Sequence, residues 1–552
     1  MDRKSLLAIV LSTIVVIVFY TFVIPKPKRP EGPVATKGDA PVATQGADTE
    51  SVAGGQPEIG SPSREDVPLV PPSTEKLSDA AASEETLVLE TGLYRAEFTN
   101  RGGQILSWKL KQFKDPFGQW VELVPDGQAE VGMILEADSG TIDMRNTLFS
   151  MRKEPSGDGT RVIFEAGGDG APRVRKAFTL HENDYQVDLK IEIGEAPGAG
   201  LYRLGWYRGI PRAEKNPKQY KMAFGAVTLI GKNRETIRPK HFKKSPTKNF
   251  EGNVRWAGMR NKYFTAMMIP PPQTSSRVRT SGNNETHEVN IEIEMPVLGG
   301  ATSQDFLLYL GPIDYERLKH IGFGLEKTVN LGWKFIRPLS KLLLLTMEWM
   351  YRFIPNYGVV IILISILAKG IFYPLTKSSI KSMRAMQKLQ PEMSALREKY
   401  KNDNQKLQAE TMALYKTHKV NPVGGCLPIV VQMPVFIALY RVLANSIAMR
   451  QANFVWWIDD LSSPDTLFMI GGFAVHILPI VLLVFTVLQQ VLTPSGDQRQ
   501  KTMGYMMPLV TVFIFYGFPA GLNLYWTINS VMTVAQQWVI HREEPSTKAA
   551  TT

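Results

Sequence analysis

The stretch from Tyr357 to Lys377, YGVVIILISILAKGIFYPLTK, constrains this chain more than any other. About 20 helical residues, rising ~1.5 Å each, cover a hydrocarbon layer about 30 Å thick, so the run is long and apolar enough to cross a bilayer. It nevertheless carries Lys369. Counted from Tyr357, the lysine sits about 18 Å along the helix and about 12 Å short of Lys377, past the midplane toward one face. An isolated charge at the centre of a span costs roughly 2.5 to 3.5 kcal/mol on insertion scales, so something must solvate it. Two readings stand at this point. Four methylenes let the amine snorkel to the nearer headgroups, or it faces a water-filled cavity lined by polar groups of neighbouring helices. Ser365, one turn earlier on the same face, is the first such group.

At 552 residues the chain has room for several domains, and a mean hydropathy of -0.10 is too polar for a protein lying wholly in lipid. Membrane and soluble parts are both expected. The net charge of +11 suits nucleic acid or anionic lipid, but no zinc finger or aromatic-basic sheet motif stands out. A single cysteine, Cys426, excludes an internal disulfide framework and a cysteine-based metal cluster; it reads as a small packed hydrophobe.

In chain order, Asp2, Arg3 and Lys4 precede an apolar run from Leu6 to Ile24 that ends at Pro25. With a long apolar core and no small-residue cleavage site, residues 1–25 read as an uncleaved anchor with its start in the cytoplasm. Residues 26–83, rich in Pro, Gly, Ala, Thr and Glu, hold too few large apolar side chains to offset the entropy of ordering and read as a disordered tether. Residues 84–325 alternate with period two, as in Val187/Leu189/Ile191/Ile193 and Val289/Ile291/Ile293, with turns such as Asn100-Arg101-Gly102-Gly103 between the runs. This predicts a mainly antiparallel all-β sandwich. His181, Glu182, Asp184 and His320 are scattered through it without a spacing that matches a known mechanism.

Residues 326–355 follow. Lys334, Arg337, Lys341, Glu348 and Arg352 fall on one helical face, with Trp333, Phe335, Ile336, Leu342, Leu343 and Trp349 on much of the rest. Five charges oppose a span, so this reads as an amphipathic helix lying in the membrane surface; the alternative is a helix capping the β domain. After the Lys369 span, 356–377, residues 378–420 are polar and helical. From Lys377 to Lys419 there are ten basic residues against four acidic ones, which marks the cytoplasmic side. Met383, Met386, Leu389, Met393, Leu396 and Tyr400 form one stripe, and Leu407, Thr411 and Leu414 another, across the polar break Asn402-Asp403-Asn404. The pattern predicts an antiparallel helical hairpin whose methionine face is either its own core or a surface for apolar segments. Four further spans are expected within 421–541: Val423 to Ala448, Leu467 to Leu492, Met503 to Phe518 and Leu522 to Ile540. A loop holding Trp456-Trp457 and three aspartates lies on the outer side, and a short tail, 542–552, on the inner. That makes six spans with both termini in the cytoplasm. The last span carries Asn523, Tyr525, Trp526, Thr527, Asn529, Ser530, Thr533, Gln536 and Gln537, far more polar than lipid contact requires. Polar spans gathered around a lone lysine favour the hydrated interior.

Four motifs carry a resemblance: Lys369-Gly370-Ile371-Phe372-Tyr373-Pro374-Leu375-Thr376, Val420-Asn421-Pro422-Val423-Gly424-Gly425-Cys426-Leu427-Pro428, Gln432-Met433-Pro434-Val435-Phe436 and Phe518-Pro519-Ala520-Gly521-Leu522. With the order of segments around them, they resemble the YidC membrane protein insertases of Gram-negative inner membranes. The resemblance implies a polytopic α-helical membrane protein with a five-helix core, a cytoplasmic hairpin and a large periplasmic all-β domain. That domain is similar to the sugar-mutarotase supersandwich and is not known for catalysis. The resemblance further implies a hydrophilic groove, open to the cytoplasm and to lipid, in which Lys369, Ser365, Gln432, Phe436, Tyr525 and Trp526 meet the client. Met383, Met386 and Met393 would lie on the hairpin that receives it. The family's groove cation is usually arginine; lysine keeps the charge and loses the planar fork. Membrane protein clients are the implied partners, with the Sec translocon and, at the hairpin, ribosomes or signal-recognition components. No cofactor, metal or catalytic residue is expected, since neither G-x-x-x-x-G-K-[ST] nor H-E-x-x-H occurs. Two rivals are a Ser365–Lys369 hydrolase dyad and a solute transporter, for which paired internal repeats are not evident.

Overall fold

The computed structural model describes residues 83–543 apart from 139, 158, 169–170, 197, 273–275, 298–300, 422–423, 425–426 and 493–497. The expected anchor, the tether up to residue 82, Cys426 and the tail from 544 lie outside the described residues.

Alternating burial builds the β domain. Strand Gln186–Ile193 buries Val187, Leu189, Ile191 and Ile193 and turns its polar residues outward. It sits inside a nine-stranded antiparallel sheet of order Asn233–Ile237, Gly225–Ile230, Val254–Arg260, Phe264–Ile269, Thr302–Pro312, Gln186–Ile193, Ala171–His181, Gly159–Gly168 and Ser150–Ser156. A six-stranded sheet runs Thr247–Gly252, Ser276–Asn283, Glu288–Pro296, Ala199–Trp206, Gly132–Ala137 and Gly140–Asp143. The two sheets pack on each other where Val254–Arg260 meets Glu288–Pro296, as the sandwich reading expected. A third sheet of four strands starts at Thr86. Its turn Asn100 to Gly103 needs glycine, because Gly102 and Gly103 take φ of +73° and +52°. The scattered polar residues find separate local partners: His181 Nε2 lies 2.9 Å from Asp188 Oδ2, and Asp184 accepts from the backbone N–H of Tyr185.

Eleven helices are named here: α1 (Pro217–Ala223), α2 (Tyr315–Ile321), α3 (Arg337–Tyr351), α4 (Tyr357–Ile371), α5 (Tyr373–Lys388), α6 (Gln390–Lys399), α7 (Asn404–Thr417), α8 (Leu427–Asn445), α9 (Ile477–Leu492), α10 (Gln498–Phe515) and α11 (Ala520–Glu543). α11 occupies the centre, touching α4, α8 and α9. α3 lies against α8 through Ser340, Leu344 and Met347 and exposes Leu342 and Trp349, while Phe335 and Phe353 just beyond its two ends are exposed as well. Ile366, Leu367 and Ile371 on α4, Val484 and Val491 on α9, and Leu509 and Phe513 on α10 also face outward. Apolar surface of this extent needs an apolar solvent or a partner.

Two expected spans are corrected. The run 356–377 breaks at Phe372, where α4 and α5 bend by 62°. Pro374 lacks the N–H that would reach the carbonyl of Gly370, and its ring clashes there. Among the described residues no single helix is both long and apolar enough to cross a membrane, whereas the bent α4–α5 pair is when taken together. The run from Leu467 begins as a β-hairpin, Thr466–Ile470 paired with Phe473–His476. Its Gly471-Gly472 turn has φ of +55° and +83°, the mirror-image turn that hairpins prefer. α9 starts only at Ile477, after the Asp465 carboxylate has accepted the N–H of Leu478 at 2.6 Å. The predicted methionine helix is also split, at Leu389, by Pro391 in the first turn of α6. α7 packs back on α6 after a turn capped by Asp403, which accepts from the N–H of Lys406.

Candidate functional site

Because α11 is central, its polar face is buried between helices. Tyr525, Asn529 and Thr533 recur every fourth residue and so share that face. Each meets a group from another helix or from its own turn. Lys369, in the last turn of α4, is buried at 7% exposure and its Nζ donates to Thr533 Oγ1 at 2.7 Å. Thr533 Oγ1 in turn donates to the carbonyl of Asn529 at 2.7 Å. From α8, Gln432 Nε2 donates to Asn529 Oδ1 at 3.1 Å and to the Tyr525 hydroxyl at 3.3 Å. Gln489 on α9 donates to the carbonyl of Ser530 at 3.2 Å. A ladder of hydrogen bonds therefore joins α4, α8 and α11.

Beside it lies an aromatic cluster. Trp526 meets Phe436 edge-on at 4.9 Å and Phe515 at 5.1 Å between ring centroids, close to the spacing aromatic pairs prefer. Thus five of the six expected residues, Lys369, Gln432, Phe436, Tyr525 and Trp526, gather on one side of α11.

Ser365 is placed otherwise. It is fully buried, and its hydroxyl donates to the carbonyl of Ile361, one turn back, at 2.7 Å. That is the usual way a serine satisfies itself inside a helix, and it leaves the amine of Lys369 to Thr533. Met393 is buried within the α5–α7 region, whereas Met383 and Met386 remain half-exposed. Asn529 and Thr533 were named only among the polar residues of the last span, without a site role, and Phe515 not at all. The four-residue spacing of 525, 529 and 533 was the signal for the first two; Phe515 carries none, since it meets Trp526 only through tertiary packing.

Among the described residues Lys369 forms no ion pair with a carboxylate. α4, α8, α9 and α10 contain no Asp or Glu, and α11 has only Glu543 at its end. A desolvated cation surrounded by neutral donors and acceptors attracts anions over a range set by the low local dielectric.

A family model described as "60Kd inner membrane protein" matches residues 349–548, and one described as "YidC periplasmic domain" matches residues 86–344. A protein of Syntrophus aciditrophicus named "Membrane protein insertase YidC" is 34% identical over 564 residues, covering 98% of this chain and 100% of its own. One of the same name from Geobacter metallireducens is 33% identical over 565 residues and covers 100% of both chains. A crystal structure of an active YidC insertase with its first transmembrane domain resolved is 21% identical, with a TM-score of 0.37, covering 84% of this chain and 94% of that one.

Proposed function

This chain belongs to the YidC family of membrane protein insertases, and we propose that it inserts client helices by drawing their short acidic flanks to Lys369. It is an inner-membrane protein with a periplasmic β domain. On this reading the polar ladder of α11 replaces part of the water that a hydrophilic client segment loses on entering the membrane. Trp526 and Phe436 flank the passing apolar helix, which moves into lipid. Burial of its ~20 apolar residues supplies the driving force. The carrying observation is the buried Lys369 amine, held by Thr533, with no Asp or Glu on α4, α8, α9 or α10.

The rest of the topology belongs to the same proposal: six spans, both termini in the cytoplasm, and α5 to α7 on the cytoplasmic side, where their basic surface and half-exposed Met383 and Met386 receive clients from ribosomes or signal-recognition components. Action beside the Sec translocon is part of it too. A Ser-Lys hydrolase finds no support in the contacts, because Ser365 and Lys369 bond away from each other.

The test is reconstitution of the full chain into liposomes, with protease protection of a single-span client whose translocated flank is either acidic or neutral. Lys369→Glu is expected to lower insertion of the acidic client about tenfold more than that of the neutral one, equivalent to about 1.4 kcal/mol of lost pairing. Equal losses for both clients refute charge attraction. Ser365→Ala leaves insertion within about twofold.

A further inference from the structure

The join between the β domain and α3 carries a positive cluster that insertion does not use. Arg234 and Arg238 stand on one face at the edge of the nine-stranded sheet. Register places Arg260 on that face as well, since Gly225 pairs with Arg260 and the next residue, Ala226, with Ile237. Arg234 donates to the carbonyl of Lys327, and Arg260 Nη1 to the adjacent carbonyl of Thr328 at 2.6 Å. These carbonyls close the short 3-10 helix Leu325–Thr328, so the two guanidinium groups sit side by side. The fourth member, Arg337, opens α3.

Holding that short helix accounts for Arg234 and Arg260. It does not account for Arg238, whose Nε is buried without a hydrogen-bond partner, nor for exposed Arg337. Among the described residues none of the four forms an ion pair with a carboxylate. The repulsion shows in their pKa values: burial, then the charges of Arg337 and Arg238, lowers that of Arg234, and burial, then the charges of Arg234 and Arg238, brings that of Arg260 down to about 9. An anion among them relieves this repulsion. The surroundings say which anion. α3 and the residues at its two ends expose Phe335, Leu342, Trp349 and Phe353, of which the first two flank Arg337 in sequence, and aromatic and aliphatic groups of this kind settle at the headgroup level of a bilayer.

We propose that Arg238 and Arg337, backed by Arg234 and Arg260, bind the phosphate of an anionic phospholipid in the leaflet on which α3 lies. Guanidinium forks suit a phosphate better than point charges do. The site pins the β domain to the membrane surface through the very segment that leads into the bundle. It rests on the interfacial placement of α3 and is independent of the role given to Lys369.

The experiment purifies the full chain from membranes of mixed phosphatidylglycerol and phosphatidylcholine and measures retained lipid by native mass spectrometry. The protein is expected to retain phosphatidylglycerol several-fold over its share of the mixture. The pair Arg238→Gln and Arg337→Gln, which leaves the carbonyl contacts of Arg234 and Arg260 intact, reduces that enrichment at least threefold, and Arg→Lys at both positions restores part of it. Arg277→Gln, an exposed arginine on the second strand of the other sheet, changes nothing. An enrichment unaltered in the glutamine pair overturns the proposal, as does an equal loss in Arg277→Gln. Displacement of the lipid by excess inorganic phosphate overturns the choice of a lipid ligand in favour of free phosphate. Insertion activity of the glutamine pair, read in the liposome assay, separates this site from the client groove.

Discussion

Two buried lysines show how much the same side chain depends on its surroundings. Lys369 lies among helices and gives its amine to a hydroxyl. Lys176 lies in the β domain, fully buried, and donates to the carbonyls of Gly102 and Val131 at 3.1 and 2.8 Å. Burial pulls the Lys176 pKa down to about 7, against roughly 10.4 for an exposed lysine. Between those values the unfolded chain binds more protons than the folded one, so stability rises with pH from about 7 to about 10 and is flat below. Thermal unfolding followed by fluorescence of the buried Trp108, Trp206 and Trp256 measures it. Lys176→Met is expected to flatten that slope in the full chain, and an unchanged slope in the variant refutes the assignment. The amine of Lys369 was legible as a problem, a charge that needs a partner. That the partner is Thr533 and not Ser365 was not, because both hydroxyls are available in sequence and only the positions of α4 and α11 choose between them.

At the scale of elements, composition named the helices and proline and glycine decided where they stop. The run around Lys369 is apolar through Tyr373, and by hydropathy alone it continues. Pro374 ends it. Pro374→Ala restores an N–H that can reach Gly370, so α4 and α5 should straighten. Two helices of 15 and 16 residues bent by 62° span about 40 Å end to end, against about 46 Å when collinear. Spin labels at Pro355 and Lys388, in a chain whose one cysteine has been replaced, are expected to move apart by several ångströms. No change in the distance means that packing of α5 on α8, rather than the proline, fixes the bend. The hairpin at Gly471-Gly472 was equally open to reading: aromatic and β-branched residues flank a Gly-Gly pair. Its apolar content hid it inside an apparent span.

For the whole molecule, the decisive contact is one that joins distant sequence. Arg450, in the loop after α8, has a side chain only 1% exposed. Its Nε donates to Glu214 Oε1 at 2.6 Å, and Nη2 donates to the carbonyls of Ala213 and Lys114. Tyr263 of the β domain reaches the carbonyl of Ala444 at the end of α8. The β domain is thus bolted to the helical bundle by a buried ion pair. Burial pushes the Glu214 carboxyl above the ordinary carboxylate range, and the nearby Arg450 opposes that rise. Removing one partner of such a pair costs about 3 kcal/mol or more, since the other is left charged and dry. Arg450→Gln is therefore expected to speed amide hydrogen exchange in segments 211–214 and 450–462 while leaving the central strand 186–193 protected. Unchanged exchange there means the two parts are held by other contacts.

The sequence by itself marked the alternating strands of the β domain and the apolar helices, a membrane part beside a β part, and a Lys369 charge that needs solvation, but not the hairpin inside the run from Leu467. Periodicity and desolvation are local properties, written in neighbouring residues. The tertiary structure alone decided which hydroxyl meets the amine, that Phe515 completes the aromatic cluster, and that Arg450 and Glu214, 236 residues apart, form one buried pair. Those outcomes depend on how helices and sheets pack, and packing is set by the shape of the whole chain at once, so no window of sequence contains it.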